Sequence, residues 1–145
     1  MATYTERVSE VMYPLLTEYA DSLTGWISSA WVSMEAYHRG WLYLNVGDIS
    51  ADTTIDLYLQ QATTVGGLGG KAITGKSITQ LTAGDDDVIC CIELQTEELD
   101  VTGGFDYVQV RTVVAGAAVE YGYILYGIVP RFAPTGTTNW TEVVT

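Results

Sequence analysis

Apolar and polar residues alternate at every second position along most of the chain after residue 25. A period of two is typical of β-strands that bury one face and expose the other. The clearest runs are residues 41–46, 53–61 and 105–114, in which aliphatic side chains such as Leu57 and Val110 fall on one face. These three runs predict half-buried strands.

Two further runs have a different pattern. Residues 88–94 are apolar at nearly every position, which predicts a strand in the centre of a sheet with both faces covered. Residues 119–129 form a long, tyrosine-rich run that Gly122 and Gly127 interrupt. Glycines inside a strand often mark bulges or bends, so either is expected here.

The number and spacing of these runs predict the architecture. With weaker candidates at residues 31–37 and 72–81, the chain contains about seven or eight short strands with no helix between them. Parallel strands need long and usually helical crossovers, so the strands are expected to be antiparallel. We predict an all-β fold, a β-sandwich of the jelly-roll type.

The N-terminal region follows a helical rather than an alternating pattern. Apolar side chains recur at helical spacing from Val8 to Tyr19, but Pro14 interrupts them. This pattern predicts either a short helix that stops before Pro14 or an extended arm. The chain is therefore expected to have three parts, which are an N-terminal arm (1–25), the β-sandwich domain (26–134) and a C-terminal tail (135–145) that packs on the domain or on a neighbour.

The charge of the chain argues against one class of partner. Six basic and 18 acidic residues give a formal net charge of −12 at pH 7. Such a surface repels the phosphates of nucleic acids and of anionic lipids, so no nucleic acid is expected as a partner. The apolar stretches are also much shorter than the roughly 20 residues that a membrane helix needs, so no membrane partner is expected either.

Residues 70–77 match the Gly-x-x-x-x-Gly-Lys-Ser pattern of phosphate-binding loops. Such a loop needs a buried strand before it and a helix that starts at the lysine, because amides and the helix dipole then converge on the phosphate. Here a polar, glycine-rich stretch precedes Gly70, and β-branched residues follow Ser77. We therefore interpret the segment as a hairpin, or as a loop that leads into a strand.

The remaining candidates for chemistry also have simpler interpretations. The three aspartates at residues 85–87 lack the spacing of a calcium loop and are interpreted as a solvated turn. His38 is the single histidine, which excludes a histidine-based metal cluster, and Cys90 and Cys91 are interpreted as small buried residues. We predict no catalytic residue, no metal and no cofactor, and therefore no enzyme.

Four tryptophans and ten tyrosines are many for a chain of 145 residues. Exposed aromatic rings on a β-sandwich stack on sugar rings or anchor protein interfaces. Apolar residues in the arm and after residue 129 have no place in the strand pattern, so we predict that they contact another molecule. The predicted interface residues are Tyr13, Leu16, Tyr19, Pro130, Phe132 and Trp140.

Several segments resemble the small β-sandwich decoration, or cement, proteins of tailed bacteriophage particles. The segments that carry the resemblance are Trp31-Val32-Ser33-Met34 with Tyr37 and Arg39; Leu57 with Leu59-Gln60-Gln61-Ala62-Thr63; Gly69-Gly70-Lys71 with Ile73-Thr74-Gly75-Lys76; Glu98-Leu99-Asp100-Val101 with Gly104-Phe105; and Gly127-Ile128-Val129-Pro130-Arg131-Phe132. The resemblance covers residues 26–134 and includes no catalytic residue.

The resemblance implies a structural role on the outside of a capsid. The implied partners are the major capsid protein, whose subunit contacts the protein would strengthen, and further copies of the chain, as a trimer rather than a dimer. The implied location is the exterior of the virion, after synthesis in the host cytoplasm. The alternative function is a module at the base of a head fibre or spike that recognises a carbohydrate or a host.

Overall fold

The computed structural model describes residues 7–19, 22–132 and 140–144. Within them the chain forms one short α-helix, one 3₁₀ turn and nine strands. The elements are α1 (Val8–Val11), β1 (Met12–Glu18), β2 (Ser22–Ser28), β3 (Val32–Ser33), β4 (Tyr37–Val46), β5 (Thr54–Ala62), β6 (Lys71–Ser77), β7 (Leu81–Thr82), β8 (Ile89–Gln95), the 3₁₀ turn (Thr96–Glu98) and β9 (Tyr107–Pro130).

The strands form two antiparallel layers that share the long strand β9. In the first layer, sheet A, the strand order is β1, the second half of β9, β4 and β8. In the second layer, sheet B, the order is β2 with β3, the first half of β9, β5, and β6 with β7. Eight strand positions that alternate in this way between two four-stranded sheets form a jelly roll, which confirms the predicted fold class.

Strand β9 passes from sheet B to sheet A at a corner around Gly116. The ladder to β5 ends at the pair Thr54 and Ala115, and the ladder to β4 begins at Val46 and Tyr121. Gly116 has φ +98°, and a Cβ atom there would lie 2.6 Å from the backbone oxygen of Asp52. The corner therefore requires glycine for two separate reasons, its backbone conformation and the absence of a side chain.

Gly122 and Gly127 mark neither a bulge nor a bend, contrary to the expectation, because both stay in register with β4, opposite Asn45 and Gly40. Gly127 has a packing role instead. A Cβ atom at this position would lie 2.7 Å from the ring of Tyr37, so the missing side chain makes room for that ring. The sequence pattern located a special glycine, but it could not distinguish a bend from a close approach.

The core lies between the sheets and is built by the predicted alternation. The three clear runs bury the predicted faces; the buried residues are Leu42, Leu44, Val46, Ile55, Leu57, Leu59, Val108, Val110, Thr112 and Val114. Leu125 of β9 is also fully buried. When a second sheet covers only one face of a sheet, each strand needs apolar residues at every second position, which is the observed pattern.

Strand β8 was predicted in the centre of a sheet but lies at the edge of sheet A, where its one strand partner among the described residues is β4. Ile92 and Leu94 point into the core, whereas Ile89 is 63% exposed and Cys91 is exposed as well. The interpretation of both cysteines as buried residues was therefore wrong for Cys91. The exposed face of β8 also carries apolar residues, such as Ile89. Its sequence pattern therefore matched that of a central strand with both faces covered.

The open edge of β8 is bridged to β6 by one lysine. Lys76 of β6 donates a hydrogen bond to the carbonyl oxygen of Glu93 at 2.8 Å and forms an ion pair with Glu98 at 2.7 Å. This ion pair, together with the Gln95 N–H group that donates to the same carboxylate, lowers the pKa of Glu98. The lysine thus links the edges of the two sheets.

Replacing Lys76 with methionine is expected to raise the pKa of Glu98 towards its ordinary value of about 4.3. Because the pKa is lowered in the folded protein, the stabilisation from Glu98 is present above pH ~4.3 and is lost as the pH falls through the lowered pKa. An NMR titration of the Glu98 side chain measures the shift. The variant Lys71→Met, which removes a different ion pair, is the control and should leave the Glu98 titration unchanged.

The N-terminal region joins the sandwich earlier than the sequence pattern predicted. Helix α1 ends before Pro14, as expected, but the chain then continues as β1, which pairs with β9 from Met12 to Glu18. The sandwich thus begins at Met12 and not at residue 26. An edge strand tolerates a proline, and the register shift between Pro14 and Leu16 hides the two-residue period from the sequence.

Candidate binding surfaces

The outer faces of the two sheets differ in chemistry. On sheet B, the outward positions of β5 and β9 include the polar residues Asp56, Gln60 and Arg111 together with Tyr58 and Val113. On sheet A, the outward positions of β4 and β9 include a group of aromatic and aliphatic residues between the polar Arg39 and Asn45; the group is Trp41, Tyr43, Ile124, Tyr126 and Ile128. The solvent side of sheet A is therefore unusually apolar for an antiparallel sheet.

Four aromatic rings form a continuous ladder on this side of sheet A. Trp41 lies 6.0 Å from Tyr43 and 5.7 Å from Tyr126, measured between ring centroids. Trp140 extends the ladder, with its ring 6.2 Å from that of Tyr126. We call this surface the aromatic face. Burial, and to a smaller extent the neighbouring Tyr43, raise the pKa of Tyr126 above its ordinary value.

Two adjoining grooves run along the aromatic face. The first has a volume of about 500 Å³ and is lined by Tyr43, Asn45, Gly122, Tyr19 and the acidic residues Glu18, Asp87 and Glu120, among others. The second, of about 650 Å³, lies against Tyr126 and Trp140. Both grooves include Thr17, Tyr19 and Ile124 in their lining, so they form one extended depression.

A separate apolar cavity lies at one end of the sandwich, where three connections meet. Its volume is about 330 Å³, and we call it the end socket. Its apolar lining consists of Met34, Leu99, Val101, Phe105 and Phe132, and its polar rim includes Glu35, Asp106 and Arg131. Phe132 is 69% exposed, and Val101 is also exposed. An open apolar socket with a polar rim is the usual anatomy of a protein docking site.

The walls of the end socket are held by side chains from neighbouring loops. Arg131 donates hydrogen bonds to the carbonyl oxygen of Tyr37 at 3.1 Å and to the hydroxyl oxygen of Thr96 at 2.8 Å. Lys71 lies 4.1 Å from the ring centroid of Phe105 and pairs with Asp100 at 2.6 Å. The socket is therefore formed before any partner binds, which lowers the entropy cost of binding.

The segment that matches a phosphate-binding loop has a different structure. Residues 71–77 form β6, and the chain before Gly70 is a turn that packs under the ring of Trp31. Both lysines of the motif are bound to acidic residues, Lys71 to Asp100 and Lys76 to Glu98. The motif is therefore a loop that leads into a strand, as predicted, and its two lysines in addition supply ion pairs to the sandwich.

The other candidate residues lie in turns and on the surface. Asp86 accepts a hydrogen bond from the backbone N–H group of Ile49, and Asp85 accepts one from Thr82, so these carboxylates organise the turn before β8. His38 is exposed on β4. Within the described residues, no three His, Cys, Asp or Glu side chains are grouped so that they could hold a metal ion.

The predicted interface residues lie at three different places. Tyr13 is 2% exposed and packs against Tyr37 in the core, so it is not part of an accessible surface. Leu16, Tyr19 and Trp140 line the second groove of the aromatic face. Phe132 lies in the end socket, and Pro130 ends β9 beside it.

The sequence pattern missed several surface residues that the fold brings together. Trp41 and Tyr43 alternate with the buried Leu42 and Leu44, so they occupy the positions at which a strand normally carries polar residues. These aromatic residues at outward strand positions were the signal in the sequence from which the aromatic face could have been predicted. Val101 and Phe105 came from a loop, where no periodicity marks an exposed apolar residue.

Comparisons with known proteins give distant structural likenesses. No protein-family model and no curated protein matches the sequence. Solved structures that align include broad bean stain virus (TM-score 0.40, 10% identity, 81% of this chain and 66% of that chain), desmodium yellow mottle tymovirus (0.41, 11%, 87% and 90%) and a structure described as "CBM4 structure and function" (0.42, 9%, 80% and 77%).

The chain spans slightly less than two thirds of the broad bean stain virus chain. With TM-scores below 0.5 and identities of 11% or less, these likenesses assign neither a family nor a function to the chain. Within the described residues, no helix has the length and apolar character that crossing a bilayer requires.

Proposed function

We propose that the chain is a non-catalytic structural protein of a tailed-phage virion, which binds the outside of the capsid and stabilises contacts between major capsid subunits. The observation that carries this proposal is the end socket. It combines exposed apolar walls, Val101 and Phe132, with a buried apolar floor of Met34 and Leu99. A capsid subunit would insert an apolar side chain into it, and the polar rim would exclude water around the contact.

The net charge supports a partner with a basic surface. With 18 acidic and six basic residues, the protein attracts positively charged surfaces over a distance of about 10 Å at moderate ionic strength. Several copies on one shell would repel each other unless each sits on such a surface. Binding is therefore expected to weaken as the salt concentration rises.

Replacing Phe132 or Val101 with aspartate is expected to reduce binding to capsids at least tenfold, because a charge in the end socket would be desolvated by the partner. Purified protein is mixed with capsids that lack it, and cosedimentation measures the bound fraction. The control variant is Val144→Asp, which places the same charge at a residue that is 87% exposed and outside the socket. It should bind like the unmodified protein.

Mass spectrometry of purified virions, from the phage that encodes the chain, tests the location independently. The proposal requires the chain to be present in stoichiometric amounts and to be removable without opening the capsid. If the chain is missing from virions and its purified form does not sediment with capsids, the proposed function is wrong. Equal binding by Phe132→Asp and the unmodified protein would instead show that the end socket is not the contact.

A further inference from the structure

The aromatic face offers a second binding surface, which the proposed function does not use. We propose that its two adjoining grooves bind a linear, uncharged polysaccharide. This proposal goes beyond the capsid-binding role, and it is independent of the end socket.

The shape of the surface fits a chain-like ligand. The two grooves share part of their lining and together extend along sheet A beside the ladder of four rings. A ligand with repeated units can lie along such a depression and use several rings in succession. A compact ligand would occupy only one of the two grooves.

The chemistry of the lining fits sugar rings. A sugar presents an apolar face of C–H groups, which packs on an aromatic ring, and a periphery of hydroxyl groups, which need both donors and acceptors. Tyr19, Tyr43 and Tyr126 supply rings, and Ile124 supplies an apolar contact between them. Asn45, which lines the first groove, can donate and accept at the same time.

The polar groups of the first groove are available to a ligand. The side chains of Asn45, Asp87 and Glu120 make no hydrogen bond or ion pair with other described residues, although they line a concave surface. Gly122 is the strand-pairing partner of Asn45 on β9 and also lines this groove, where it adds no side chain. The groove thus places hydrogen-bond acceptors around a space of about 500 Å³.

The charge of the grooves selects among carbohydrates. No lysine, arginine or histidine is among the described residues that line them, whereas Glu18, Asp87 and Glu120 are acidic. Sulfated and uronic-acid polysaccharides, and nucleic acids, would be repelled. Carboxylates are nevertheless good acceptors for neutral hydroxyl groups, so an uncharged polysaccharide satisfies the lining best.

Affinity electrophoresis in gels that contain soluble β-glucan, mannan, xylan or starch tests the proposal, with alginate and heparin gels as the charged counterparts. We expect at least one neutral polysaccharide to retard the protein and the charged ones to leave it unretarded. Tyr43→Ala and Asn45→Ala are each expected to weaken the retardation about tenfold; the second residue is exposed, so its replacement should not disturb the fold.

Matched changes on the opposite sheet are the controls. Tyr58→Ala and Trp26→Ala remove aromatic rings from the outer face of sheet B, and Trp26 is 67% exposed. Both should keep full binding, as should Phe132→Asp in the end socket. The proposal is wrong if no neutral polysaccharide retards the protein, if the sheet B variants lose binding as strongly as Tyr43→Ala, or if a lysine-rich peptide binds the grooves and the polysaccharides do not.

Discussion

Replacing Gly116 with alanine is expected to lower the free energy of unfolding by about 3 kcal/mol. The backbone at φ +98° costs roughly 1–3 kcal/mol for any residue with a side chain. The new Cβ atom would also lie 2.6 Å from the oxygen of Asp52 and 2.8 Å from the hydroxyl oxygen of Thr53. The latter hydroxyl accepts the hydrogen bond of Ala117 N–H at 3.0 Å, so the change also disturbs the anchor of the corner.

Two other glycines separate the contributions to this effect. Gly104 has φ +77° but open space around it, so Gly104→Ala should cost about 1 kcal/mol from the backbone conformation alone. Gly84 has open space and no positive φ, so Gly84→Ala should change the stability by less than about 0.5 kcal/mol. Urea unfolding of the three variants measures these differences. Equal losses at Gly116 and Gly104 would contradict the steric part of the explanation.

Replacing Leu125 with alanine is expected to cost about 3 kcal/mol as well, within the usual range of 2–5 kcal/mol for a buried leucine. Leu125 is fully buried on the inner strand of sheet A, between Leu42 of β4 and Leu16 of β1. Neighbours on both sides are held by ladders, so they cannot move in to fill the space. Chemical unfolding monitored by tryptophan fluorescence measures the loss.

The matched control is a large aliphatic residue on the edge of the same sheet. Ile89→Ala removes more atoms than many surface changes, but the side chain is already mostly in water, so the expected loss is below about 0.5 kcal/mol. A loss at Ile89 comparable to that at Leu125 would mean that the outer edge of β8 is covered in solution, for example by another copy of the chain.

The fold class was predictable because one physical rule dominates most of the chain. Strands such as β4 and β5 bury one face, and the alternation of leucines with larger or polar residues reports this directly. The prediction failed where another feature of the sequence obscured this alternation. In β8, apolar residues on the exposed face imitated a central strand, and in β1, Pro14 and the register shift hid the period.

The candidate surfaces were only partly predictable, because they join residues that are distant in sequence. Phe132 was predicted as an interface residue, but its socket is completed by Met34 and Val101, which the fold brings to it from other loops. Tyr13 was predicted as an interface residue for the same reason as Phe132, its apolar character outside the clear strands. Only the pairing of β1 with β9 distinguishes the buried tyrosine from the exposed phenylalanine.

The shared strand has a consequence for how the chain is made. Strand β9 is an inner strand of both sheets, and it leaves the ribosome after every described strand that pairs with it. At roughly 10 residues per second, the nascent chain spends several seconds with β1, β2 and the inner edges of β4 and β5 unpaired. Unpaired edges attract other chains, so we expect the protein to need protection by chaperones during synthesis, and chains that terminate before Gly116 to aggregate instead of folding.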